Sequence, residues 1–554
     1  MSRSIFAAKG HKESEGETSS QGAYRRTRDL RRHAAAILCL FAATTSVIHA
    51  ATPRDPSAPI LVPVANDPTV SFRLWFKVGA QNDPVGKEGL AALTAAMLTE
   101  AATQKLRYDE ILDKLFPLAS GYGAAASMEM TVITGRTHLD NLADFYPLLR
   151  DAVLAPAFKQ EDLDRLKSRT LNFIENNLRF SSDEELGKAV LYGEIFAGTP
   201  YGHLGAGTVA SLKSITLDDV QKFYAAHFNR DNVVIGLGGP IPAQAEKLLD
   251  RPAAWISGSA DLVNPTTVLA RLKTDLGKLP AGAPARVPAP QPTPLSGVNV
   301  TLIEKQTAST AISVGLPLDV VRGSREWYAL AIANSWLGEH RNQSGRLFQI
   351  IREKRGLNYG DYSYIEHYPN GGARMTPPQN VPRRRQIFEL WIRPVPHEAR
   401  HFALRAALRE VDLLVKNGLT AEQFEERRAF LKKYVLHYAS TTSERLGYAI
   451  DDAFYGLDEP HLEKYRRLMD ELTLTEVNAA IKKHWQLANL QIVAVTQDAA
   501  AFADALAADT ASPITYASPK PASVTEEDKA IATFPLKIKR ESVKIVPVAE
   551  LFAK

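Results

Sequence analysis

The chain has 554 residues, of which 45% are hydrophobic and 23% are charged, and its net charge is +4. This composition excludes collagen-like, wholly disordered and disulfide-stapled chains, and the length predicts two to four domains. The small net charge gives no indication of a nucleic-acid partner, so we expect none. The first 50 residues carry 8 Lys or Arg and 4 Asp or Glu, which accounts for the whole net charge.

Residues 1–50 have the pattern of a targeting segment. An arginine-rich stretch ends at Arg32, an apolar run covers 34–43, and small residues lead to Ala50. This order is typical of a signal peptide cleaved after Ala50, and the run is shorter than the roughly 20 residues that a membrane span needs. The single cysteine, Cys39, lies in the run, so the mature chain would lack cysteine. We therefore expect an exported, periplasmic protein with no membrane span in its mature form; a disordered cytosolic tail is the alternative.

The rest of the chain contains an internal duplication. Pairs of similar residues recur at a constant spacing of 257 residues: Thr216 and Thr473, Val220 and Val477, His227 and His484, Asn232 and Asn489, Ile235 and Ile492. An acidic residue three positions after each Thr, Asp219 or Glu476, predicts a capped helix, and each helix runs into a predicted strand. The earlier parts of the two halves also correspond, with a strand at 70–78 or 307–316 and then a helix from about Gly89 or Arg325.

These patterns predict an α+β fold with two homologous domains, each a mostly antiparallel sheet with flanking helices. We expect the following divisions: a targeting segment at 1–50, a first domain at 51–278, a Pro/Ala/Gly-rich linker at 279–296, a second domain at 297–511 and a tail at 512–554. The tail has two open interpretations, because its basic and apolar end could pack as a strand or stay loose.

Several stretches resemble one protein family. They are 78–80 with Gly89-Leu90-Ala91, Glu129-Met130-Thr131-Val132, 154–158, Pro200-Tyr201-Gly202-His203, and the run from Gly345 to Tyr359. Together they resemble the pitrilysin/insulinase family of inverted zincins over nearly all of residues 60–510. The resemblance implies that the two domains form half of a clam-shell chamber that encloses peptide substrates.

The zinc motif of that family is absent. Active members carry H-x-x-E-H in the first early helix, with two His as zinc ligands and a Glu that activates water. The matching positions here are Ala92, Ala95 and Ala96, and the third ligand position falls at Asn172 or Phe173. The resemblance therefore implies no catalytic residue in the first domain and no zinc in this chain. We interpret the alanine-rich helix as a closely packed core element.

A second family signature is present. An Arg and a Tyr seven residues later contact substrate from the second domain in the family, and they match Arg352 and Tyr359. The alternative is a surface arginine on an amphipathic helix and a strand tyrosine without a role. Some bacterial members divide the site between two chains, so the resemblance implies a zinc-bearing insulinase-like partner, which would supply the zinc, and a peptide or unfolded polypeptide substrate. The family also adds peptides to an exposed strand, here near 124–132. A non-enzymatic peptide-binding or assembly scaffold is the second hypothesis.

A rival metal motif gives a third hypothesis. His397, Glu398 and His401 spell H-E-x-x-H, the forward zincin pattern, which would make the chain a self-sufficient metallopeptidase. Because the motif follows a strand-like run and two prolines, and no third ligand is evident, we favour a solvated helix start. Glu339 and His340 follow a predicted helix without evident partners, and the arginines at 383–385 predict a solvated basic loop.

Overall fold

The computed structural model describes residues 58–242, 265–282 and 287–554. The predicted targeting segment at 1–50 lies outside these residues. Helices and two β-sheets alternate along the described chain, one sheet in each half, and this confirms the α+β fold class.

The first half is built on a five-stranded sheet with the order β1-β5-β2-β4-β3. Its strands are β1 (Ile60–Pro63), β2 (Thr69–Phe76), β3 (Gly121–Ala126), β4 (Thr131–His138) and β5 (Val233–Gly239). Its helices are α1 (Leu90–Thr99), α2 (Tyr108–Leu115), α3 (Leu142–Leu154), α4 (Gln160–Asn172), α5 (Asp183–Ile195), α6 (Val209–Ser214), α7 (Leu217–His227) and α8 (Pro265–Leu276). A π-helical segment, Phe173–Ser181, continues α4.

The second half has a six-stranded sheet with the order β11-β6-β10-β7-β9-β8. Its strands are β6 (Val298–Glu304), β7 (Thr310–Leu318), β8 (Asp361–Tyr364), β9 (Gln386–Val395), β10 (Leu490–Thr496) and β11 (Val543–Pro547). Its helices are α9 (Arg325–Gly338), α10 (Arg400–Asn417), α11 (Ala421–Tyr434), α12 (Thr442–Tyr455), α13 (His461–Glu471), α14 (Leu474–His484), α15 (Ala499–Ala507) and α16 (Ala522–Ala532). A short π-helical segment, Phe348–Glu353, precedes β8.

The two sheets repeat the same topology. In each half the first strand pairs in parallel with the last strand of the repeat, β1 with β5 and β6 with β10. The other neighbours, β2 with β5 and β4, and β7 with β10 and β9, are antiparallel. An edge strand, β3 or β8, completes the repeat. The predicted duplication and the mostly antiparallel character of both sheets are therefore confirmed.

The predicted helix caps explain where the repeated helices begin. The side chains of Thr216 and Thr473 accept hydrogen bonds from the backbone N–H of Asp219 and Glu476, and those carboxylates bond back to the threonines. These capping boxes satisfy N–H groups that the first helical turn leaves free. Local sequence therefore starts α7 and α14 at equivalent places in the two halves.

The tail packs as a strand, which decides between its two interpretations. β11 adds to the edge of the second sheet in parallel with β6, and α16 lies against α10. Arg405 on α10 is fully buried, and its guanidinium donates hydrogen bonds to the backbone oxygens of Thr510 and Ala532. Beyond β11, the carbonyls of residues 552 and 553 accept from the first N–H groups of α6. The tail therefore links the second half to the first.

Most buried apolar side chains lie between each sheet and its helices, in one large cluster per half. A third cluster combines side chains of α5 with side chains of the second sheet, so the two halves share part of their core. In the described part of the chain, no helix combines the length and the apolar character required to cross a bilayer.

Candidate functional site

Helix α1 is positioned by a buried carboxylate at its first turn. Gly89 has φ of 94°, and an added Cβ would lie 2.7 Å from the carbonyl oxygen of Ala206, so glycine is required there. The Asp83 carboxylate accepts hydrogen bonds from the N–H groups of Gly89 and Ala91, each at 2.7 Å, and lies 3.3 Å from Nε2 of His203. These contacts fix which face of α1 is turned away from the core.

That face carries alanines and borders a cavity of about 470 Å³. Ala92 and Ala96 are partly exposed to it, whereas Ala95 is buried in the helix packing. Asn172 and Phe173, at the junction of α4 and its π-helical continuation, line the same cavity. The structure therefore brings together the positions that the resemblance assigns to two zinc ligands and to the third.

The residues in this alanine cavity do not fit a zinc ion. Alanine methyl groups offer no lone pair, and zinc sites in proteins use Cys, His, Asp or Glu. The carboxylate on the wall, Glu100, forms an ion pair with Arg169. Glu175 does not border the cavity. Across residues 58–242, 265–282 and 287–554, no group of three or more His, Cys, Asp or Glu side chains could hold a metal ion.

An unpaired strand edge lies beside the alanine cavity. β3 is the edge strand of the first sheet, and it pairs only with β4 among the described strands. Its residues are exposed or half-buried, and a Cβ added at Gly121 or Gly123 would meet open space. Ala124 and Ala126 face the cavity. The free backbone groups of such an edge are available to pair with another extended chain.

Arg352 and Tyr359 lie on the surface of the second half. Arg352 is half-buried in the last turn of the π-helical segment, and its guanidinium carbon lies 4.6 Å from the ring centre of Phe348. Gly356, with φ of 69°, ends the helical turn and donates to the carbonyl of Arg352. Tyr359 is 78% exposed. In the described part of the chain, neither side chain forms an ion pair or a hydrogen bond, so both polar groups are available to a ligand.

The rival motif does not assemble a metal site. His397 begins a 3₁₀ turn before α10, and both of its ring nitrogens are engaged, Nδ1 with the hydroxyl of Thr310 at 2.8 Å and Nε2 with the carbonyl of Thr307 at 2.9 Å. Glu398 is exposed. His401 is buried in α10, and burial lowers its pKa to about 4. Both histidines of the motif are therefore engaged in contacts within the protein at the start of α10.

Two sequence expectations about polar residues were wrong. Arg383 is buried against Tyr192, and Arg384 forms an ion pair with the buried carboxylate of Glu129, so the loop at 383–385 joins the halves and is not solvated. Glu339 is buried and has hydrogen-bond partners, contrary to the expectation from its position after a helix. The partners of Arg383 and Arg384 come from distant parts of the chain, as does Tyr438, whose hydroxyl donates to Glu339, and no local sequence pattern indicates these contacts.

Sequence reasoning also missed a buried ion pair between the halves. Nζ of Lys188 on α5 lies 3.5 Å from the carboxylate of Glu389 on β9 and 4.7 Å from the ring centre of Trp391. Both charged side chains are almost fully buried, and burial raises the pKa of Glu389 to about 7. A Glu in the middle of an apolar strand was the one available signal.

Comparisons with known proteins agree with this geometry. The family model described as Insulinase (Peptidase family M16) matches residues 60–189, and the family model described as Peptidase M16 inactive domain matches residues 214–431. The non-peptidase homolog YmxG of Helicobacter pylori is 22% identical over 431 residues, which cover 77% of this chain and 88% of that protein. An uncharacterized zinc protease of Streptomyces coelicolor is 23% identical over 360 residues, which cover 64% of this chain and 69% of that protein.

Solved structures show the same fold. The peptidase M16 inactive domain from Pseudomonas fluorescens superposes with a TM-score of 0.65 at 24% identity, covering 80% of this chain and 96% of that one. A chain of complex III from Candida albicans gives a TM-score of 0.59 at 14% identity, and the superposition covers 78% of this chain and 92% of that one. With both halves matched and alanines at two of the zinc-ligand positions, the chain belongs to the insulinase family of peptidases as a catalytically incomplete homologue.

Proposed function

We propose that the chain is the non-zinc subunit of a two-chain insulinase-family peptidase and that it acts outside the cytoplasm. The observation that carries this proposal is the contrast between the two halves. The first half has an alanine cavity where the family binds zinc, whereas Arg352 and Tyr359 remain accessible and unpaired in the described part of the second half.

The zinc-bearing partner supplies the metal and the base in this proposal, and this chain supplies contacts to the substrate. The Arg352 guanidinium donates hydrogen bonds to substrate carbonyl oxygens, and the Tyr359 hydroxyl donates to the oxygen that gains negative charge during peptide cleavage. The edge of β3 offers backbone groups for an extended peptide. Together the two chains form the clam-shell chamber, and each contributes one half of it.

Export rests on the composition of residues 1–50, which lie outside the described part of the chain. Edman sequencing of the protein secreted by a bacterial host tests it directly. A mature chain that begins at Ala51 supports export with cleavage after Ala50. Retention of the intact chain in the cytoplasm would contradict it.

The subunit role is tested by reconstitution with a zinc-bearing insulinase-family protein from the same genome. The two purified chains are mixed with a fluorogenic peptide, and kcat/KM is measured. We expect cleavage by the mixture, and we expect Arg352→Ala or Tyr359→Ala to lower kcat/KM by at least about tenfold, the scale of one lost transition-state contact. Arg466→Ala is the matched control, because Arg466 is exposed and forms no ion pair in the described part of the chain. Unchanged rates in both site variants would refute the proposed role of the pair.

A non-enzymatic peptide-binding scaffold is the second candidate, and the free edge of β3 is the observation that favours it. Tight binding of an extended peptide together with no cleavage in any mixture would support this candidate over the first. Substitution of Ala124 by proline distinguishes edge pairing from other binding modes, because the register of β3 with β4 turns the N–H of Ala124 away from β4 and proline removes that donor from the free edge.

A further inference from the structure

A second cavity lies in the other half, at the place that the duplication makes equivalent to the alanine cavity. Its walls come from α9, β8, α11, α12, α13 and the loop after β8, and three of these, α9, β8 and α11, correspond to the elements α1, β3 and α4 that border the alanine cavity. We call it the aromatic cavity, because its walls include Trp327, Tyr364, Tyr368, Tyr434, Tyr438 and Tyr465. The loop residue Met375, 63% exposed, and the half-buried Tyr434 form its rim, so it is accessible from the surface.

The volume of the aromatic cavity limits what it can hold. The cavity measures about 70 Å³. Since one water needs about 10–15 Å³ of such space, the cavity accommodates a group of about five non-hydrogen atoms. A trimethylammonium group has this size. A dinucleotide, a sugar or a whole peptide does not fit.

The charges on the walls leave one carboxyl group uncompensated. Glu339 accepts hydrogen bonds from the hydroxyls of Ser335 at 2.8 Å and Tyr438 at 3.0 Å and from the side-chain amide of Asn342 at 3.4 Å, but it forms no ion pair in the described part of the chain. Burial raises the pKa of Glu339 above its ordinary value. The guanidinium of Arg427 acts only from a distance, because its hydrogen bonds go to Ser344.

The other ionisable groups on the walls do not supply the missing positive charge. The guanidinium of Arg322 pairs with Glu366 at 2.7 Å and with Asp451 at 3.3 Å, so two carboxylates already offset it. His340 bonds to the hydroxyl of Tyr364, and burial lowers its pKa to about 4, so its ring is neutral. Burial lowers the pKa of His461 as well. The walls therefore carry a net negative charge when Glu339 is ionised.

Aromatic rings around a carboxylate form a suitable environment for an organic cation. The negative faces of tyrosine and tryptophan rings attract ammonium groups by about 0.5–2 kcal/mol each. The same group of rings already holds one ammonium within the protein, because Nζ of Lys188 lies 4.4 Å from the ring centre of Tyr364. The indole N–H of Trp327 is buried without an acceptor in the described part of the chain, so it can donate to an oxygen of a ligand.

We propose that the aromatic cavity binds the ammonium group of an organic cation, with Glu339 as its counter-ion. The cation is a free small amine or the lysine side chain of a polypeptide; both present the same group at the rim. This proposal is independent of the proposed subunit role, because it uses neither Arg352 nor Tyr359.

Isothermal titration calorimetry of the purified chain tests the proposal. Tetramethylammonium chloride is the probe, and tert-butanol, with five non-hydrogen atoms and no charge, is its neutral counterpart. We expect saturable binding of tetramethylammonium with a Kd below about 10 mM, and binding of tert-butanol at least about tenfold weaker. A pentapeptide that contains one lysine is then titrated in place of tetramethylammonium to distinguish the two sources of the cation. A lower Kd for the pentapeptide than for tetramethylammonium would identify the lysine side chain of a polypeptide as the ligand, and a Kd that is not lower would identify a free small amine.

Two variants and one control link the binding to the cavity. Glu339→Gln keeps the size of the side chain and removes the charge, while its amide nitrogen donates to one of the two hydroxyls that donate to the carboxylate in the wild type, so we expect at least about tenfold weaker binding. Tyr434→Leu removes a ring at the rim without altering the deeper core, and we expect at least about threefold weaker binding. Glu463→Gln, on the exposed side of α13, leaves the Kd unchanged. Absence of saturable heat in the wild-type chain, or equal Kd values for the wild type and both cavity variants, would overturn the proposal.

Discussion

The segment that carries Arg352 and Tyr359 also contains an arginine with a purely structural role, and substitution of each arginine separates the two roles. The Arg355 side chain is completely buried. Its guanidinium bonds to Asp528 at 2.8 Å, to Glu527 at 3.1 Å and to the carbonyl of Ile350 at 2.8 Å. It therefore joins the segment that carries Arg352 and Tyr359 to α16 of the tail.

The structure indicates the size of the loss in Arg355→Met. Breaking a buried ion pair by removing one partner costs about 3–5 kcal/mol, because the remaining charge is left uncompensated. Here the loss is moderated, since Glu527 keeps Arg346 and Lys354 within 3.6 Å and Asp528 keeps the hydroxyl of Tyr516 at 3.0 Å. We therefore expect a loss near the lower limit, about 3 kcal/mol.

Arg352→Met is the matched comparison. Arg352 is half-buried and has no ion pair in the described part of the chain, so this variant should change the free energy of unfolding by less than about 0.5 kcal/mol. It should nevertheless lose activity in the reconstituted mixture. Urea unfolding followed by tryptophan fluorescence gives the two free energies, and limited proteolysis within 512–521 reports whether α16 has detached.

A double-mutant cycle strengthens the comparison. Asp528→Asn should cost less in the Arg355→Met background than in the wild type, with a coupling energy of at least about 1 kcal/mol. The reasoning would be refuted if Arg355→Met unfolded at the wild-type urea concentration, or if Arg352→Met destabilised the chain as much as Arg355→Met.

Three further outcomes are expected. The free energy of unfolding should fall by about 3 kcal/mol between pH 4.5 and 7, because the pKa of Glu389 is about 7 in the folded chain and about 4.5 in the unfolded chain, so that ionisation of Glu389 favours unfolding. In Glu389→Gln this part of the pH dependence should vanish. If urea titrations gave the same pH dependence for the variant and the wild type, Glu389 would not be its source. Lys188→Met should destabilise the chain by about 3–5 kcal/mol at pH 8, since it leaves the Glu389 carboxylate buried without a cation; equal urea midpoints for variant and wild type would exclude this. Gly89→Ala should cost more than Gly86→Ala, by about 1–3 kcal/mol, because both residues have positive φ but only a methyl group at Gly89 meets a backbone oxygen; thermal unfolding of the pair decides it.

The sequence by itself determined the features that depend on residues close together in the chain. The capping boxes that begin α7 and α14 each involve residues three apart, so a sequence of four residues is sufficient to predict them. The constant spacing of the repeat required two similar sheets. The absence of zinc ligands at Ala92 and Ala96 also follows locally, because residues four apart share a helix face whatever the rest of the chain does.

Only the tertiary structure decided which distant side chains meet. Three contacts each join residues more than 170 positions apart: Lys188 with Glu389, Arg383 with Tyr192, and Arg355 with Glu527 of the tail. The aromatic cavity likewise collects rings from five separate elements, α9, β8, α11, α12 and α13. Contacts of this kind leave no periodic signal, because the spacing along the chain carries no information about how two packed elements are oriented. The same composition of Tyr and Glu in another arrangement would have produced an ordinary core.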